Sequence, residues 1–374
     1  MAITATSSIQ DHMTGPRSPR EARILELDGL RGIAILMVLV CHYIFPDPGA
    51  TSGSAARLFG FNIFGSGVDL FFVLSGFLIG GILLDHRSSD RYFKAFYARR
   101  TCRILPVYYG FLVVTAVAGV IEHIHGRLTP VFDAGTPFWM FPLFLQNFSL
   151  AWFGDWGWFT VTMAWSLALE EQAYLSLPAA VRIFGRRTLV RLAAAIMLGA
   201  AIARFLLPDQ PHTYGALVLA AANADGIAAG FLCAVFVRSA FKLPARALAF
   251  AALASAGLVM ATNLESSPVS FLRGSALAIF YSACLLLAER GSLSLLRSSL
   301  LRFFGTISYS LYLVHQSSLA LFRTIARHIF HGHLLEEQVI VPVVAFLLSV
   351  VGCWLLWICL EKPLISWART RFPY

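Results

Sequence analysis

Ionisable side chains that interrupt long apolar runs are the residues of this sequence best placed to do chemistry. Arg31 and His42 lie in the first apolar run, and the rise of a helix separates them by roughly 16 Å along its axis. Because a charged group at membrane depth is costly, such residues mark functional sites by default. Further acidic and amide groups interrupt three later runs, and we expect them in the same half of the membrane as His42: Asp69, Glu170, Glu171, Asn223 and Asp225.

His42 is the candidate general base of this set. A neighbouring carboxylate, from Asp69, Glu170 or Glu171, would orient the imidazole and stabilise the imidazolium that forms when it takes a proton. A polar network that only ties helices together is the competing interpretation. Ser75 is a candidate hydrogen-bond donor to a developing oxyanion, and a Ser-Gly pair that only packs helices is the alternative.

A second group of candidate residues is basic. Arg99, Arg100 and Arg103 stand at positions i, i+1 and i+4 directly before an apolar run. Guanidinium groups match phosphate oxygens two at a time, so this cluster suits a phosphorylated ligand, although charges that only set membrane topology are the alternative. Tyr309 and His315 belong to a polar stripe in a later run, where they either line a cavity or bond across helices.

The elements that must position these residues are transmembrane helices. The chain has 374 residues, of which 58% are hydrophobic and 13% charged, with a mean hydropathy of +0.71, whereas about a quarter of a soluble domain is charged. This composition excludes an ordinary soluble enzyme and predicts an all-α integral membrane protein of one domain. Ten runs are long enough to span a bilayer: 29–46, 62–84, 104–121, 162–181, 189–207, 215–237, 247–262, 269–288, 303–322 and 339–360.

The basic residues indicate membrane topology. The net charge of +9 does not indicate nucleic-acid binding, because these residues are dispersed among short loops. Loops on the side of the N-terminus carry 21 of the 29 Lys and Arg residues and the opposite loops carry 4, which places both termini in the cytoplasm. The asymmetry holds only if the aromatic stretch 138–152 does not cross, so we predict an interfacial or re-entrant segment there.

Three further patterns carry smaller predictions. Tryptophans from this stretch to Trp165 suit an aromatic belt or stack on the sugar rings of a ligand. The GxxxG spacing of Gly226 and Gly230 predicts close helix packing. Two groups of loop histidines lack the acidic or cysteine partners that would complete a metal site, so we expect solvated side chains, no metal and no permanently bound cofactor: His123 with His125, and His328 with His331 and His333.

Six short strings of the sequence, in order along residues 24–363, resemble those of the acyltransferase-3 family of membrane acyltransferases. They are 27–34 with Cys41 and His42, 67–79, 99–106, 165–167 with 170–172, 307–313 with His315, and 361–363. The sequence departs from the family's pattern at Ala173, Val314 and Asn223, where an aromatic residue, a Trp and an Arg paired with Asp225 are usual.

The resemblance implies a ten-helix membrane domain over residues 24–363, between a polar cytoplasmic tail (1–23) and a short cytoplasmic tail (364–374). It implies transfer of an acyl group, commonly acetyl from acetyl-CoA, to a hydroxyl of a carbohydrate or other cell-envelope acceptor. It singles out Arg31 and His42. We expect a minimal, membrane-only form in the bacterial cytoplasmic (inner) membrane, with the lipid bilayer, acyl-CoA and the acceptor as partners and no oligomeric state predicted.

Roles follow for the candidate residues. We expect the phosphates of the donor substrate to be held by Arg31, Arg99, Arg100 and Arg103. Catalysis would fall to His42, supported by Asp69, Glu170 and Glu171, and the cavity or acceptor site would include Ser75, Trp165, Asp225, Tyr309 and His315.

A transporter or flippase of a sugar or lipid-linked substrate is the alternative function. Such proteins typically have paired broken helices in two related halves, and the sequence has no such symmetry. Binding of CoA would discriminate between the two classes, since a transporter of sugars has no reason to recognise it.

Overall fold

The computed structural model describes residues 24–45, 63–124, 136–153, 161, 163–206, 220–240, 242–262, 267–330 and 339–374. Within these ranges all regular secondary structure is helical and no strand is present. In hydrocarbon every backbone N–H and C=O must be paired inside the protein, and a helix pairs them within one segment. The predicted all-α class is therefore confirmed.

The helices follow one another in the order of the predicted runs. They are α1 (Leu25–Ile44), α2 (Gly67–Asp85), α3 (Tyr92–Ile124), α4 (Gln146–Phe153), α5 (Ala164–Ile183), α6 (Arg186–Leu206), α7 (Ala220–Val237), α8 (Ala245–Thr262), α9 (Arg273–Glu289), α10 (Ser299–Phe330), α11 (Val341–Leu356) and α12 (Lys362–Arg371). Short 3-10 turns precede four of them, at Phe64–Ser66, Phe138–Met140, Ser270–Leu272 and Ser294–Arg297. One π-helical turn, Trp357–Glu361, joins α11 to α12.

Seven segments of the described chain are long and apolar enough to cross a membrane: Leu25–Ile44, Phe64–Asp85, Tyr92–Ile121, Arg186–Leu206, Ala245–Thr262, Ser270–Glu289 and Val341–Arg371. Three other predicted runs form α5, α7 and α10 but do not meet this criterion. Charged residues lower the hydropathy of α5, Ser, Tyr, His and Gln lower that of α10, and the apolar part of α7 is short. Ten crossings and two cytoplasmic termini therefore remain predictions.

The stretch predicted to be interfacial or re-entrant, 138–152, forms the 3-10 turn and α4. The eight residues of α4 extend about 12 Å, which is too short to cross a hydrocarbon core of about 30 Å. The backbone bends at Phe144, whose φ is 56°. Gln172 of α5 fixes the bend, because its side-chain amide donates to the Phe144 carbonyl and to the Asn147 side chain, each at 3.0 Å.

Glycines bring α2 and α7 into close contact. A Cβ atom added at Gly230 would overlap the carbonyl oxygen of Val73, and one at Gly76 would overlap that of Ile227. Gly226 lies against Phe72 in the same contact. The close packing predicted from the GxxxG spacing is thus confirmed, with α2 as the partner helix.

Glycines also bring α1 against α10. A Cβ atom at Gly32 would overlap the carbonyl oxygen of Leu301, and one at Gly305 would overlap that of Asp28. Because the two backbones approach so closely, Arg31 and His42 of α1 lie beside the polar stripe of α10. This contact decides which residues the candidate site can contain.

Candidate active site

A cavity of about 100 Å³, partly open at its surface, lies among α1, α2, α3, α5 and α10. Much of its wall is apolar. The polar groups on the wall come from all five helices: Arg31, Ser75, Arg100, Arg103, Ser166, Glu170, Tyr174, Ser308, Tyr309 and Tyr312. Six of these residues were predicted for the site, and they converge from segments far apart in sequence.

Three guanidinium groups line the cavity. Arg31 donates to the Ser308 hydroxyl at 3.1 Å, and Arg100 lies over the ring of Tyr174, 5.0 Å from its centroid. Arg100 and Arg103 share one face of α3, because residues three apart are neighbours on a helix. The arrangement leaves hydrogen-bond donors available to an anionic ligand in a partly enclosed space.

Glu170 is the carboxylate of the cavity. One of its oxygens accepts from the Ser75 hydroxyl at 2.8 Å, and the other accepts from the Tyr174 hydroxyl at 2.9 Å. Both Arg31 and Arg100 attract its charge. The oxyanion role of Ser75 stays a prediction, and in the structure its hydroxyl hydrogen is donated to Glu170. Glu170 lies with the arginines and makes no hydrogen bond to His42.

Tyr309 closes another side of the cavity. Its hydroxyl donates to the carbonyl oxygen of Ile104 at 2.9 Å, which ties α10 to α3. One residue further along α10, Ser310 donates to the buried carboxylate of Glu361 in the π-helical turn. Glu361 in turn lies within electrostatic range of Arg103, so this turn supplies a second negative charge near the arginines.

His42 is not among the described residues that line the cavity. Its Nδ1 atom lies 2.8 Å from the carbonyl oxygen of Val38, one turn earlier in α1. A backbone carbonyl, and neither Asp69 nor Glu170, therefore takes the Nδ1 hydrogen of His42 in the structure. The ring of His42 lies against that of His315, with 5.0 Å between centroids.

His315 connects His42 to the cavity. The ring of Tyr312, which lines the cavity, lies 5.8 Å from that of His315 between centroids. The hydroxyl of Tyr312 makes a 2.6 Å hydrogen bond with that of Ser166 from α5. A path of rings thus leads from the cavity wall at Tyr312, through His315, to His42.

Asp69 and Asp225 belong to a different polar cluster. Arg204 of α6 forms a buried ion pair with Asp225 of α7 at 2.8 Å, and Ser275 of α9 donates to the same carboxylate oxygen at 2.9 Å. Asp69 lies in the electrostatic field of this pair and of Arg273. Asp225, predicted as a possible cavity or acceptor residue, does not line the cavity in the structure, and its oxygens are bonded within the fold.

Arg99 also departs from its predicted place. It donates through Nε to the carbonyl oxygen of Phe372 at 2.8 Å, and its guanidinium lies over the ring of Tyr374, 4.5 Å from the centroid. Tyr374 stacks on His86 on its other side, with 4.0 Å between centroids. Arg99 therefore holds the last residues of the chain and does not join Arg100 and Arg103 in the cavity.

Two predicted residues lie behind the cavity wall. Glu171 is partly buried, and one of its carboxylate oxygens has no hydrogen-bond partner among the described residues. Trp165 is buried at 7% exposure, and its ring packs edge-on against Phe72, a wall residue, at 6.4 Å between centroids. Trp165 therefore supports the wall and presents no open ring face for a sugar.

Sequence reasoning missed several polar wall residues. Tyr174 stands four residues after Glu170, a spacing that places both on one helix face, so this residue had a detectable signal. Ser166 and Ser308 lie within the strings that resemble the family but carry no charge to mark them. The N-terminal tail 1–23 and the side chains of the two predicted histidine groups lie outside the described part of the chain.

Comparison with known proteins identifies the family of the chain. A family model described as an acyltransferase domain matches residues 24–358. The chain belongs to the acyltransferase-3 family. The resemblance seen in the six strings is thereby confirmed, and the description of the family model agrees with the enzyme class that the resemblance implies.

Two bacterial relatives illustrate the similarity. Peptidoglycan O-acetyltransferase OatA of Listeria monocytogenes is 31% identical over 179 residues, which is 45% of this chain and 26% of the relative. "Putative peptidoglycan O-acetyltransferase YrhL" of Bacillus subtilis is 35% identical over 178 residues, 46% of this chain and 26% of the relative. The chain thus spans about a quarter of the length of the curated relatives it matches. No solved structure matches.

The apolar helices and these relatives together indicate a bacterial multi-pass membrane protein.

Proposed function

We propose that the chain transfers an acetyl group from acetyl-CoA to a hydroxyl of a cell-envelope carbohydrate. The observation that carries the proposal is the cavity in which Arg31, Arg100 and Arg103 face one enclosed carboxylate, Glu170. The positive charge of the cavity and the hydrogen-bond donors of its arginines suit a ligand with several phosphate groups. The names of the two relatives support O-acetylation of a glycan as the reaction.

The proposed topology places the donor and the acceptor on opposite sides. The positive-inside distribution puts the arginines near the cytoplasm, where CoA esters are available. His42 then lies roughly 16 Å deeper along α1. The long pantetheine arm would carry the thioester through the cavity toward Tyr312, a wall residue whose ring lies 5.8 Å from that of His315 between centroids.

His42 would act as the general base. Its Nδ1 hydrogen is donated to Val38, so the lone pair for proton transfer is on Nε2. The acceptor hydroxyl would lose its proton to Nε2 while its oxygen attacks the thioester carbonyl carbon. Collapse of the tetrahedral intermediate breaks the C–S bond, and the CoA thiolate receives the proton from the imidazolium of His42. The products are the O-acetyl ester and CoA.

Transfer of radiolabelled acetyl from acetyl-CoA by membranes tests the proposal. We expect wild type to consume the donor and label an envelope glycan, and His42→Ala to label it at least 100-fold more slowly, since loss of a general base typically costs 10²–10⁴-fold. Arg31→Ala should also label it more slowly, because it removes a guanidinium group that holds the donor phosphates. Arg91→Ala is the matched control, because Arg91 is exposed beside the start of α3. If wild-type and empty membranes behave alike with several acyl donors, the proposal fails.

A further inference from the structure

The imidazole of His315 has an unusual environment. The residue is 0% exposed, and its Nδ1 atom lies 2.7 Å from the carbonyl oxygen of Tyr312. A carbonyl oxygen can only accept, so Nδ1 carries the hydrogen and Nε2 carries the lone pair. Among the described residues, Nε2 has no hydrogen-bond partner. A buried acceptor left unpaired costs free energy, so this atom is suited to a ligand that brings a donor.

The imidazole of His42, which lies beside that of His315, has the same hydrogen-bonding pattern. Its Nδ1 hydrogen is donated to Val38, so its Nε2 atom is also a bare acceptor in the neutral ring. The two rings lie 5.0 Å apart between centroids and meet at 61°. Each of these neighbouring rings offers one acceptor nitrogen, so the pair favours a ligand that brings two neighbouring O–H groups over one that brings only lone pairs.

The position of the pair is fixed by α1 and α10. The hydroxyl of Tyr43, next to His42, donates to the backbone carbonyl of His315 at 2.9 Å. The ring of Tyr43 lies 6.4 Å from that of His315 between centroids, and Tyr312 covers another side. His315 therefore cannot leave the pair without breaking contacts to both helices.

We propose that His315 binds the acceptor, through a hydrogen bond from a second hydroxyl next to the one that His42 deprotonates. This deepens the proposed function and rests on it. The acceptor class is accordingly a molecule with two adjacent hydroxyls, such as a sugar ring with a vicinal diol. The reacting hydroxyl donates to Nε2 of His42, and its neighbour donates to Nε2 of His315.

Two substitutions of His315 distinguish a role in acceptor binding from a role in folding. His315→Asn keeps an N–H near the position of Nδ1, so the bond to Tyr312 is retained, but it leaves no acceptor at the position of Nε2. His315→Gln extends an amide oxygen to the position of Nε2 and can accept there. A merely structural histidine predicts the opposite ranking, because only the asparagine variant retains the bond to the helix backbone.

The experiment measures acetyl transfer from acetyl-CoA to isolated envelope glycan by purified protein, with 1,2-cyclohexanediol and cyclohexanol as competing probes. In wild type we expect the diol to inhibit at about tenfold lower concentration than the mono-alcohol. In His315→Asn we expect that preference to vanish and the KM for glycan to rise about 10- to 100-fold. Binding of acetyl-CoA and the melting temperature should stay at wild-type values, and His315→Gln should recover part of the preference.

Three results would overturn the inference. Wild type could show no preference for the diol, His315→Asn could keep the wild-type KM for glycan, or it could lose acetyl-CoA binding in proportion to transfer. The first result decides the matter even if both variants fail to fold. Failure of the proposed function is separate, because wild type would then neither bind nor consume acetyl-CoA.

Discussion

Replacing Asp225 with asparagine tests whether this carboxylate stabilises the helix bundle or serves a substrate. Asp225 is 3% exposed, and the side chain of its partner Arg204 is 10% exposed. One oxygen of Asp225 accepts from Arg204 at 2.8 Å and from Ser275 at 2.9 Å, and the other accepts from the N–H of Gly226 at 3.1 Å. The asparagine keeps the size of the side chain but removes its charge.

The expected loss of stability follows from the charge of Arg204, which is left without its ion-pair partner in the variant. Removing one partner of a buried ion pair costs about 3–5 kcal/mol, because the remaining charge is uncompensated. The carboxylate of Asp69 lies within electrostatic range of Arg204 and offsets part of this loss, so we expect about 3 kcal/mol. For a chain of this length 1 kcal/mol shifts the melting temperature by less than about 2 °C. The predicted decrease is therefore about 5 °C.

A thiol-reactive dye provides the assay, because Cys41, Cys233 and Cys353 are free and buried and become reactive when the protein unfolds. The double variant Arg204→Met, Asp225→Leu should regain most of the lost stability, since an apolar pair can replace a buried ion pair. If Asp225→Asn leaves the melting temperature within about 1 °C of wild type but abolishes acetyl transfer, our assignment of Asp225 to the fold is refuted.

Three further changes test other parts of the structure. Gly230→Leu should abolish the yield of monodisperse protein in size-exclusion chromatography, because its side chain would overlap the backbone of Val73, whereas Gly257→Leu meets open space and should not; equal yields would contradict the α2–α7 contact. Glu170→Gln should tighten acetyl-CoA binding about fivefold, since it removes a negative charge that opposes the phosphates, and weaker binding would instead assign Glu170 a direct contact with the donor. Arg99→Ala should leave acetyl-CoA affinity within about twofold of wild type in equilibrium dialysis, and a larger loss would return Arg99 to the donor site.

The positions of the helices could be predicted from the sequence because apolar runs of span length have few other structures available. For example, the predicted run 269–288 corresponds to the apolar helical segment Ser270–Glu289 in the structure. Two helices are much longer than their runs: 104–121 lies within α3 (Tyr92–Ile124), and 303–322 lies within α10 (Ser299–Phe330). Hydropathy identifies only the apolar part of a helix. The polar ends of α3 and α10, including the turn that carries Arg99, could therefore not be predicted from it.

The direction of individual side chains could not be predicted. Arg99, Arg100 and Arg103 were treated as one cluster, yet adjacent residues of a helix point about 100° apart. Nothing in their spacing decides whether Arg99 or Arg100 shares the cavity with Arg103. The partner of Asp225 was equally hidden. The family's usual Arg is Asn223 here, and the compensating charge, Arg204, comes from the preceding helix.

The histidine pair depends on tertiary contacts alone. Both His42 and His315 were candidates, but 273 positions separate them in the sequence, and no local pattern relates them. They meet because Gly32 and Gly305 let α1 and α10 approach at backbone distance. The polar stripe of α10 was visible in the sequence, whereas the helix it faces was not.

Equilibrium binding of acetyl-CoA to the purified protein determines whether the arginine cavity recognises the donor. We expect saturable binding by wild type and by Arg91→Gln, because Arg91 is exposed. Arg103→Gln removes the same charge from the cavity wall and should raise the Kd about 10- to 100-fold, as expected for loss of hydrogen bonds to a charged group. Equal affinities in the two variants, or no binding by wild type, would contradict recognition of the donor by this cavity.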